Sequence, residues 1–487
     1  MMRRILIFWV SQLLWIPVMA QQDLTFGIVS GKGPEQVVDV REFAHSMAIS
    51  TDYMPMRSAP RLTHPMDTAV NWIDRIYNIP QYMRNFYDLY TECVENALNG
   101  NKNWLTDPKM GMKLLDGYGD TVYCVAVNEW KEAVPFAFPS DMTDQEEMGL
   151  YINSVFEEHI ELILDSMYSF MPFLSVCLDY DLPEAFWVGN VFRWYPTYSY
   201  QCLFSRGKWT LNYTLQMILV LDSYDFRLNK AEYTTPQSVF DGIEEYNSLI
   251  KEIFRELPDT SVYHQTKYLN NWLTTHNGYS SALVIGKKIP AMAWSPISAL
   301  RGSTGYDGPV CEGYARAFKI LCDRLGIPAT LAVGMASSYP NDKPEDHMWN
   351  EVKMDDGKWY GVDVTWNDPV IMDKIEVAQS GSETEEWFLL GKKSIVHDLA
   401  FEDSHPFSFD NYDEYANMWD IRIQSFLGDY SYDVYNSTPD IFIIDRGVIE
   451  VRSLIGSVIG RYDSMEKALE NLTKGVYIIG RHKFVVR

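Results

Sequence analysis

The feature that most constrains the fold is a helix pattern that opens on a cysteine and is followed by strand patterns, all between residues 308 and 366. Gly308 and Pro309 interrupt regular secondary structure just before Cys311. Apolar side chains then recur at helical spacing, at Tyr314, Phe318, Leu321 and Leu325. Gly326 supplies a stop. The pattern therefore predicts a helix whose first turn carries Cys311.

The position of Cys311 at the start of a helix favours a reactive thiol. The thiolate is the nucleophilic form of cysteine, and the partial positive charge at a helix N-terminus stabilises it. Most unpaired cysteines are small buried apolar side chains, so this position alone does not define a nucleophile. Cys322 lies on nearly the same helical face but roughly 16 Å away. The two cysteines cannot form a disulfide, and we expect Cys322 in the core.

Strand patterns follow the predicted helix. A β-rich run at 329–334 predicts one strand, and two more, at 347–353 and 358–366, flank the turn sequence Asp355-Asp356-Gly357. Apolar runs on both sides of Asp-Gly are typical of a β-hairpin. We therefore expect the helix to pack on an antiparallel sheet.

The register of this hairpin decides whether a histidine and an aspartate share one face. With a two-residue loop, Asp363 stands opposite Asn350 and His347 points to the other face. With a three-residue loop that ends on a left-handed Gly357, Asp363 stands opposite Trp349 and diagonal to His347. Only the second register lets the carboxylate orient the imidazole, and we predict that register.

Cys311, His347 and Asp363 together predict thiol chemistry. A thiolate attacks an acyl carbon, an imidazole holds and delivers the proton, and a carboxylate fixes the tautomer of the imidazole and stabilises its cation. A single histidine on a strand is more often structural, and a single aspartate often belongs to a turn. Their joint placement is what favours a catalytic site.

Three motifs in this segment resemble those of the transglutaminase-like superfamily. They are Cys-Glu-Gly-Tyr-Ala at 311–315, His-Met-Trp-Asn at 347–350 and Tyr-Gly-Val-Asp-Val-Thr-Trp at 360–366. In that family the motifs contribute, in this order, the nucleophile, the base and the orienting acid. The similarity extends over about 263–398. It implies a papain-like fold and catalytic roles for Cys311, His347 and Asp363.

The sequence departs from the family pattern in two places. Family members commonly have Asp-Asp after the third motif, whereas this chain has Asn367-Asp368, which puts any role of that acid in doubt. An oxyanion partner upstream of the cysteine is expected by analogy, and Trp294 is a weak candidate. The backbone N–H of Cys311 is a safer donor.

The chain shows no zinc, calcium, nucleotide or paired-cysteine motif, so we predict neither a cofactor nor a metal. The formal charge of −25 disfavours a nucleic-acid partner, because it repels phosphate. A protein or peptide substrate is the expected partner. The sequence predicts no oligomeric state.

The predicted fold class is α+β, with a papain-like core, a mainly helical N-terminal region and a small β-rich C-terminal module. The expected boundaries are a signal peptide at 1–20, a mainly helical accessory region at 21–258 with a β-hairpin near 190–220, a transglutaminase-like core at 259–400, an extension at 401–439 and the β-rich module at 440–487.

The N-terminus predicts export. Arg3 and Arg4 precede an apolar run at 5–18, and Val18-Met19-Ala20 is typical of a cleavage site. An uncleaved anchor is the alternative, but the run is shorter than the ~20 residues of a spanning helix. No later segment is expected to be long and apolar enough to span a membrane. The predicted location is secreted, periplasmic or at the cell surface.

Export bears on the cysteines, which are few for a secreted chain. Cys93 could pair with Cys124, or Cys177 with Cys202, and buried thiols are an equal alternative.

Three functions fit these observations. The first is a cysteine peptidase or amidase that cleaves protein or cell-wall peptide through a thioester. The second is a transglutaminase, in which an amine resolves the same thioester. The third is a catalytically silent binding module, which intact Cys311, His347 and Asp363 disfavour.

Overall fold

The structure of the protein is a computed structural model. It describes residues 24–25, 29–32, 36–42, 70–75, 79–101, 113–115, 121–189, 191–206, 208–221, 224–225, 230–231, 233, 235–258, 261–282, 285–368, 383–407, 425–432, 449–453, 458–462, 467, 471, 475–479 and 482–486. The helices are α1 (Gln81–Leu98), α2 (Gln145–Asp181), α3 (Pro236–Ile253), α4 (Val262–His276), α5 (Pro296–Leu300), α6 (Cys311–Arg324) and α7 (Phe401–Ser404).

The strands are β1 (Leu24–Thr25), β2 (Val29–Lys32), β3 (Gln36–Asp39), β4 (Lys113–Leu115), β5 (Thr121–Phe136), β6 (Val191–Ser205), β7 (Lys208–Leu221), β8 (Tyr224–Asp225), β9 (Lys230–Ala231), β10 (Ala329–Ala336), β11 (Glu345–Lys353), β12 (Trp359–Val362), β13 (Phe388–Leu390), β14 (Ile395–Val396), β15 (Leu399–Ala400), β16 (Ile449–Ser453), β17 (Val458–Tyr462), β18 (Gly475–Ile479) and β19 (His482–Val486). Short 3-10 helices lie at Trp72–Arg75, Phe254–Glu256, Ala291–Trp294 and Gly305–Asp307.

The N-terminal region holds much more sheet than its sequence suggests. Its strands form a seven-stranded sheet in the order β1-β6-β7-β5-β4, with β2 and β3 also paired with β6. The hairpin near 190–220 is present as β6 and β7. The region also has helices of 18, 37 and 18 residues, α1, α2 and α3, and β5 alone runs for 16 residues. Its centre carries Glu129, Lys131 and Glu132, which dilute the apolar alternation that predicts a strand.

The chain forms two compact units. The first comprises the described residues of Met1–Gln36, Val127–Phe170 and Trp194–Ile218, and the second comprises those of Val37–Ala126, Met171–Arg193 and Leu219–Arg487. Within the first unit, Phe156 stacks on Tyr200 with ring centroids 3.9 Å apart. Tyr200 also donates a hydrogen bond to Asn153. Aromatic packing of helix on hairpin therefore builds the core of this unit.

Helix α2 contradicts the expectation that no later segment is long and apolar enough to span a membrane. Its segment Glu146–Asp181 is long and apolar enough to cross a membrane, with mean hydropathy 1.3 in its most apolar window. Of that window, 62% is buried inside the protein, and the core helices of water-soluble proteins meet the same two criteria. Asp144 directly precedes the helix and caps it, because its carboxylate accepts from the N–H groups of Glu146 and Glu147.

The second unit contains the predicted helix and sheet. Strands β10-β11-β12-β13 form an antiparallel sheet in that order, and α6 packs against β10, β11, α4 and α5. Helix α6 is buried from Glu312 to Cys322. Asn350 on β11 donates from Nδ2 to the carbonyl of Ala315 on α6 at 2.9 Å. This bond ties the histidine-bearing strand to the cysteine-bearing helix, in keeping with the predicted α+β class.

The hairpin of β11 and β12 has the predicted register. Asn350 pairs with Val362 and Lys353 with Trp359, which sets Trp349 opposite Asp363. Gly357 has φ of 78°, the left-handed conformation that closes the three-residue loop. Strand β12 ends at Val362, and the N–H of Asp363 donates instead to the carbonyl of Trp387 at 2.9 Å.

The predicted extension packs against the core sheet. Gly334 of β10 forms a β-bridge with Phe407, and Trp359 forms another with Leu427. A Cβ at Gly334 would lie 1.9 Å from the carbonyl oxygen of Pro406, so only glycine permits this approach. The described C-terminal strands form an antiparallel sheet in the order β17-β16-β18-β19.

Two predictions fall partly or wholly outside the described residues. The signal peptide at 1–20 lies outside them, as does the side chain of Cys124, so its pairing with Cys93 stays a prediction. Cys177 and Cys202 are buried thiols, which contradicts their pairing. Cys322 is a buried thiol of the core, as expected.

Candidate active site

Cys311 is the first residue of helix α6 and is partly exposed. Val310 precedes the helix in extended conformation and donates its N–H to the carbonyl of Ala293 at 2.9 Å. Gly313 permits this contact, since a Cβ there would lie 2.6 Å from the same carbonyl oxygen. The sulfur therefore lies at the positive end of a buried helix.

His347 links Cys311 to Asp363. Its Nε2 lies 2.7 Å from Oδ2 of Asp363, which leaves Nδ1 for the sulfur of Cys311, a residue that also interacts electrostatically with the ring. Burial alone would lower the pKa of His347, but the charge and hydrogen bond of Asp363, with a contribution from Cys311, raise it to about 10. The imidazolium is thus the stable form at neutral pH, as a thiolate partner requires.

Asp363 is fully buried, and both of its carboxylate oxygens accept hydrogen bonds. Oδ1 accepts from the N–H of Trp366 at 3.1 Å. Burial would raise the pKa of Asp363, but His347 and a second histidine, His405, hold it well below its usual range. The carboxylate therefore remains charged although no water reaches it.

His405 is a member of the site that the sequence analysis missed. Its Nε2 lies 3.1 Å from Oδ2 of Asp363, the oxygen that also contacts His347. No short motif surrounds His405, and 42 residues separate it from Asp363. Only the fold brings the two together.

Aromatic rings enclose the two histidines. Trp366 stacks on His347 with centroids 4.8 Å apart and planes 18° apart. Phe401 stacks on His405 at 4.2 Å and 13°. Trp349 and Trp387 contact His405 at 5.0 and 5.3 Å. These contacts fix both rings and exclude water from the carboxylate, which strengthens every charge interaction there.

Tyr279, beside Cys311, is another residue of the site that the sequence analysis missed. Burial, together with the charge of Cys311, raises the pKa of Tyr279, while the backbone of Cys311 acts in the opposite direction. The hydroxyl therefore keeps its proton. Trp294, the weak oxyanion candidate from the sequence, has the guanidinium of Arg41 4.9 Å above its ring. A tyrosine 32 residues before the cysteine carries no local pattern that could have identified it.

The residues that depart from the family pattern have contacts of their own. Asn367 is buried, donates to Asn270 at 3.0 Å and accepts from the N–H of Trp387 at 2.9 Å. Asp368 accepts from the hydroxyl of Tyr314 on α6. Burial raises the pKa of Asp368 to about 7, against the effect of that hydrogen bond. Both side chains connect the loop after Asp363 to its surroundings.

His347, Asp363 and His405 are the described residues that could hold a metal, with ligand atoms within 4.8 Å of one another. Two histidines and a carboxylate suit zinc, which binds such ligands at about 2.0–2.2 Å. Ligand atoms around one tetrahedral zinc ion lie about 3.3 Å from one another, whereas here one oxygen of Asp363 lies 2.7 and 3.1 Å from the two rings, the distances of hydrogen bonds that it accepts from both. The geometry therefore fits proton sharing.

The comparison with protein families decides the identity of this segment. Residues 249–364 match the model described as the transglutaminase-like superfamily. Residues 249–364 form a transglutaminase-like domain. All three predicted site residues, Cys311, His347 and Asp363, lie within the transglutaminase-like domain, whereas His405 lies beyond it. At the level of the family, this assignment supports a cysteine-based enzyme.

Two further comparisons concern the whole chain. None of the curated proteins compared with it matches. Among solved structures, one described as a candidate cysteine protease from Cytophaga hutchinsonii is similar, with 14% identity, a TM-score of 0.20 and coverage of 54% of this chain and 72% of the other. Similarity at this level supports no inference about the activity of the transglutaminase-like domain.

Proposed function

We propose that the protein is an exported cysteine peptidase or amidase that cleaves amide bonds of protein or cell-wall peptide through a thioester. The observation that carries the proposal is the order of contacts at the site. Asp363 holds Nε2 of His347 at 2.7 Å, and Cys311 at the start of α6 interacts electrostatically with the same ring. A thiol, an imidazole and a carboxylate in this order are the requirements of nucleophilic acyl transfer.

In the first step, the thiolate of Cys311 attacks the carbonyl carbon of the substrate amide. A carbon–sulfur bond forms and the carbonyl electrons move to oxygen. As the carbon–nitrogen bond breaks, Nδ1 of the His347 imidazolium gives its proton to the leaving amine. The products are a thioester on Cys311, a free amine and a neutral imidazole that Asp363 keeps in orientation.

The oxyanion of this step needs donors that are already in place. The N–H of Cys311 is one, and the protonated hydroxyl of Tyr279, whose pKa responds to Cys311, is the other. When substrate oxygen takes the N–H, the tyrosine hydroxyl is free to donate to the same oxygen. Fixed donors in a site with little water stabilise the oxyanion more than water does.

In the second step, water attacks the thioester while neutral His347 takes its proton. The carbon–sulfur bond breaks, a carboxylic acid leaves, and the thiolate–imidazolium pair returns. A primary amine in place of water would make the protein a transglutaminase with the same three residues. The acyl acceptor therefore separates the two reactions.

Thiol labelling tests the proposed nucleophile. Iodoacetamide at pH 5.5 should alkylate Cys311 and leave Cys322 unmodified, because only Cys311 pairs with an imidazolium. His347→Ala should abolish this selectivity. Peptide mass mapping measures both sites in one sample. Labelling of Cys311 no faster than that of Cys322 would favour the silent binding module.

A competition between water and an amine tests the reaction class. The purified protein is incubated with fluorescent casein and dansylcadaverine, and peptide release and amine incorporation are measured together. Peptide release that disappears in Cys311→Ala supports the peptidase. Amine incorporation that exceeds hydrolysis would overturn it in favour of a transglutaminase.

Export is part of the proposal and rests on the N-terminal sequence. Arg3 and Arg4, the apolar run and Val18-Met19-Ala20 resemble a signal that is cleaved before Gln21. N-terminal sequencing of the mature protein should begin at Gln21. An intact N-terminus on membrane-bound protein would contradict cleavage.

A further inference from the structure

One carboxylate oxygen serves two buried histidines. Oδ2 of Asp363 lies 2.7 Å from Nε2 of His347 and 3.1 Å from Nε2 of His405. The proposed mechanism uses only the first contact. The second comes from a residue outside the transglutaminase-like domain, whose side chain is fully buried.

The protons around His405 can be assigned from its neighbours. The carboxylate can only accept, so Nε2 of His405 carries hydrogen. Nδ1 lies 2.8 Å from the hydroxyl of Ser404. The same hydroxyl lies 3.0 Å from the carbonyl of Phe401, which also accepts from the N–H of His405 at 2.8 Å. The hydroxyl has one hydrogen, and it donates that hydrogen to Nδ1 when the ring is neutral. Burial lowers the pKa of His405 to about 4, and in the neutral ring each nitrogen has a hydrogen-bond partner.

We infer that His405 is a neutral positioning residue, which shares the carboxylate oxygen of Asp363 with His347 and so limits how tightly His347 holds its proton. A donor on Asp363 withdraws part of the charge that stabilises the imidazolium. The catalytic ring can then release its proton to a leaving amine. This inference rests on the proposed function, since it concerns the same thiol site.

The packing around His405 supports a role beyond filling space. Phe401, Trp366 and Trp387 contact the ring, and an apolar side chain of the same size would suit these neighbours. A histidine here buries polar nitrogens, and such burial costs free energy unless both are bonded. Both are bonded, one to the carboxylate and one to Ser404.

The charged and titratable groups that act on the pair come from each packed element. Asp363 and His347 face His405 from the β11–β12 hairpin. Asp363 and Cys311 face His347. Tyr279 interacts electrostatically with Cys311, Asp363 and Glu345. A change in the pH dependence of Cys311 labelling therefore reports on this set.

Two substitutions separate hydrogen bonding from packing. His405→Phe keeps a ring between Phe401 and Trp366 but removes the donor to Asp363. His405→Gln restores an N–H donor near the position of Nε2. His397→Phe is the matched control, because His397 contacts Trp387 and Tyr339 but has no hydrogen bond to Asp363.

The measurement is the rate of iodoacetamide labelling of Cys311 between pH 4 and 9. In His405→Phe the donor is gone and the imidazolium of His347 is more stable. The pH of half-maximal labelling should therefore fall by about half a unit, which makes labelling near pH 5 about threefold faster. His405→Gln and His397→Phe should match the wild type. A purely structural role would slow labelling at every pH, and an unchanged profile in His405→Phe would also overturn the inference.

The same experiment keeps the two proposals apart. If Cys311 of the wild type labels no faster than Cys322, the proposed function fails. If the wild type is activated and His405→Phe has the same profile, only the role of His405 fails. Histidine nitrogen NMR of the wild type adds a test that needs no variant. His405 should be neutral with hydrogen on Nε2 from pH 5.5 to 8, and a charged ring at pH 7 would contradict the inference.

Discussion

Arg316 and Asp179 form a buried ion pair, with Nη1 and Oδ1 2.9 Å apart and each side chain 4% exposed. Arg316 lies on α6, five residues after Cys311, and also bonds Glu312 at 3.1 Å through Nε. Asp179 lies near the end of α2, 137 residues earlier in the chain. The helix that presents the proposed nucleophile is thus anchored by a residue outside the transglutaminase-like domain.

Asp179→Ala should destabilise the protein by about 3–5 kcal/mol, because it leaves Arg316 buried with part of its charge uncompensated. Burial raises the pKa of Asp179 to about 6, against the attraction of Arg316, so the carboxylate is charged at pH 7.5. Urea unfolding at that pH measures the change. Glu252→Ala, which breaks an exposed pair with Arg255, should cost about 0–1 kcal/mol. Equal losses in the two variants would contradict the anchoring role.

Tyr279→Phe tests the proposed oxyanion donor. Loss of one such donor should lower kcat for casein cleavage by about 10²–10³ with little change in KM. Alkylation by iodoacetamide forms no oxyanion, so labelling of Cys311 should stay within about twofold of the wild type. Tyr306→Phe, which removes a hydroxyl that bonds the carbonyl of Lys288 at 3.1 Å, is the control. A parallel loss of labelling would indicate a distorted thiol site instead.

Lys358 directly follows the three-residue loop and pairs with Met354, so deletion of Lys358 should keep the loop and move Asp363 opposite Asn350. His347 and Asp363 would then point to opposite faces, and selective labelling of Cys311 at pH 5.5 should disappear. Gly357→Ala keeps the register and places its Cβ in open space, but its φ of 78° disfavours alanine. That variant should lose about 1 kcal/mol of stability and keep selective labelling. Selective labelling by the deletion variant would refute the register argument.

Asp368 predicts a pH-dependent stability. Burial raises its pKa to about 7, above the ordinary value of 3.8. The folded protein therefore holds this proton more tightly than the unfolded chain. The stabilisation is full below about pH 4 and is lost as the pH rises through about 7. Between pH 6 and 8, ionisation of this carboxyl should lower the free energy of unfolding by about 1 kcal/mol. Asp368→Asn should not show this decrease. Urea unfolding at pH 6 and pH 8 measures this change. An equal change in the free energy of unfolding for the wild type and Asp368→Asn would contradict the prediction.

The sequence predicts the catalytic segment because its signals are local. Cys311 follows Gly-Pro at the start of one helix pattern, and the Asp-Asp-Gly turn sets His347 and Asp363 on one face. Each of these inferences spans a few turns or one hairpin, where spacing determines geometry.

Contacts between distant parts of the chain could not be predicted in this way. His405 and Tyr279 reach the site through tertiary packing, and no spacing relates either residue to Cys311. The sheet of the N-terminal region was missed because strands such as Thr121–Phe136 carry charges in their middle. Asp179 reads in sequence as an ordinary acid near the end of a helix, and only burial beside Arg316 distinguishes it.

The contact between Gly334 and Pro406 bears on how the protein is divided for study. It joins the strand after α6 to the chain that bears His405, beyond the last residue that matches the family model. A fragment cut at residue 364 would keep the proposed nucleophile, base and acid but lose the second ring on the acid. The smallest fragment that folds and is active should therefore continue past Phe407 and retain the helix that supplies Asp179.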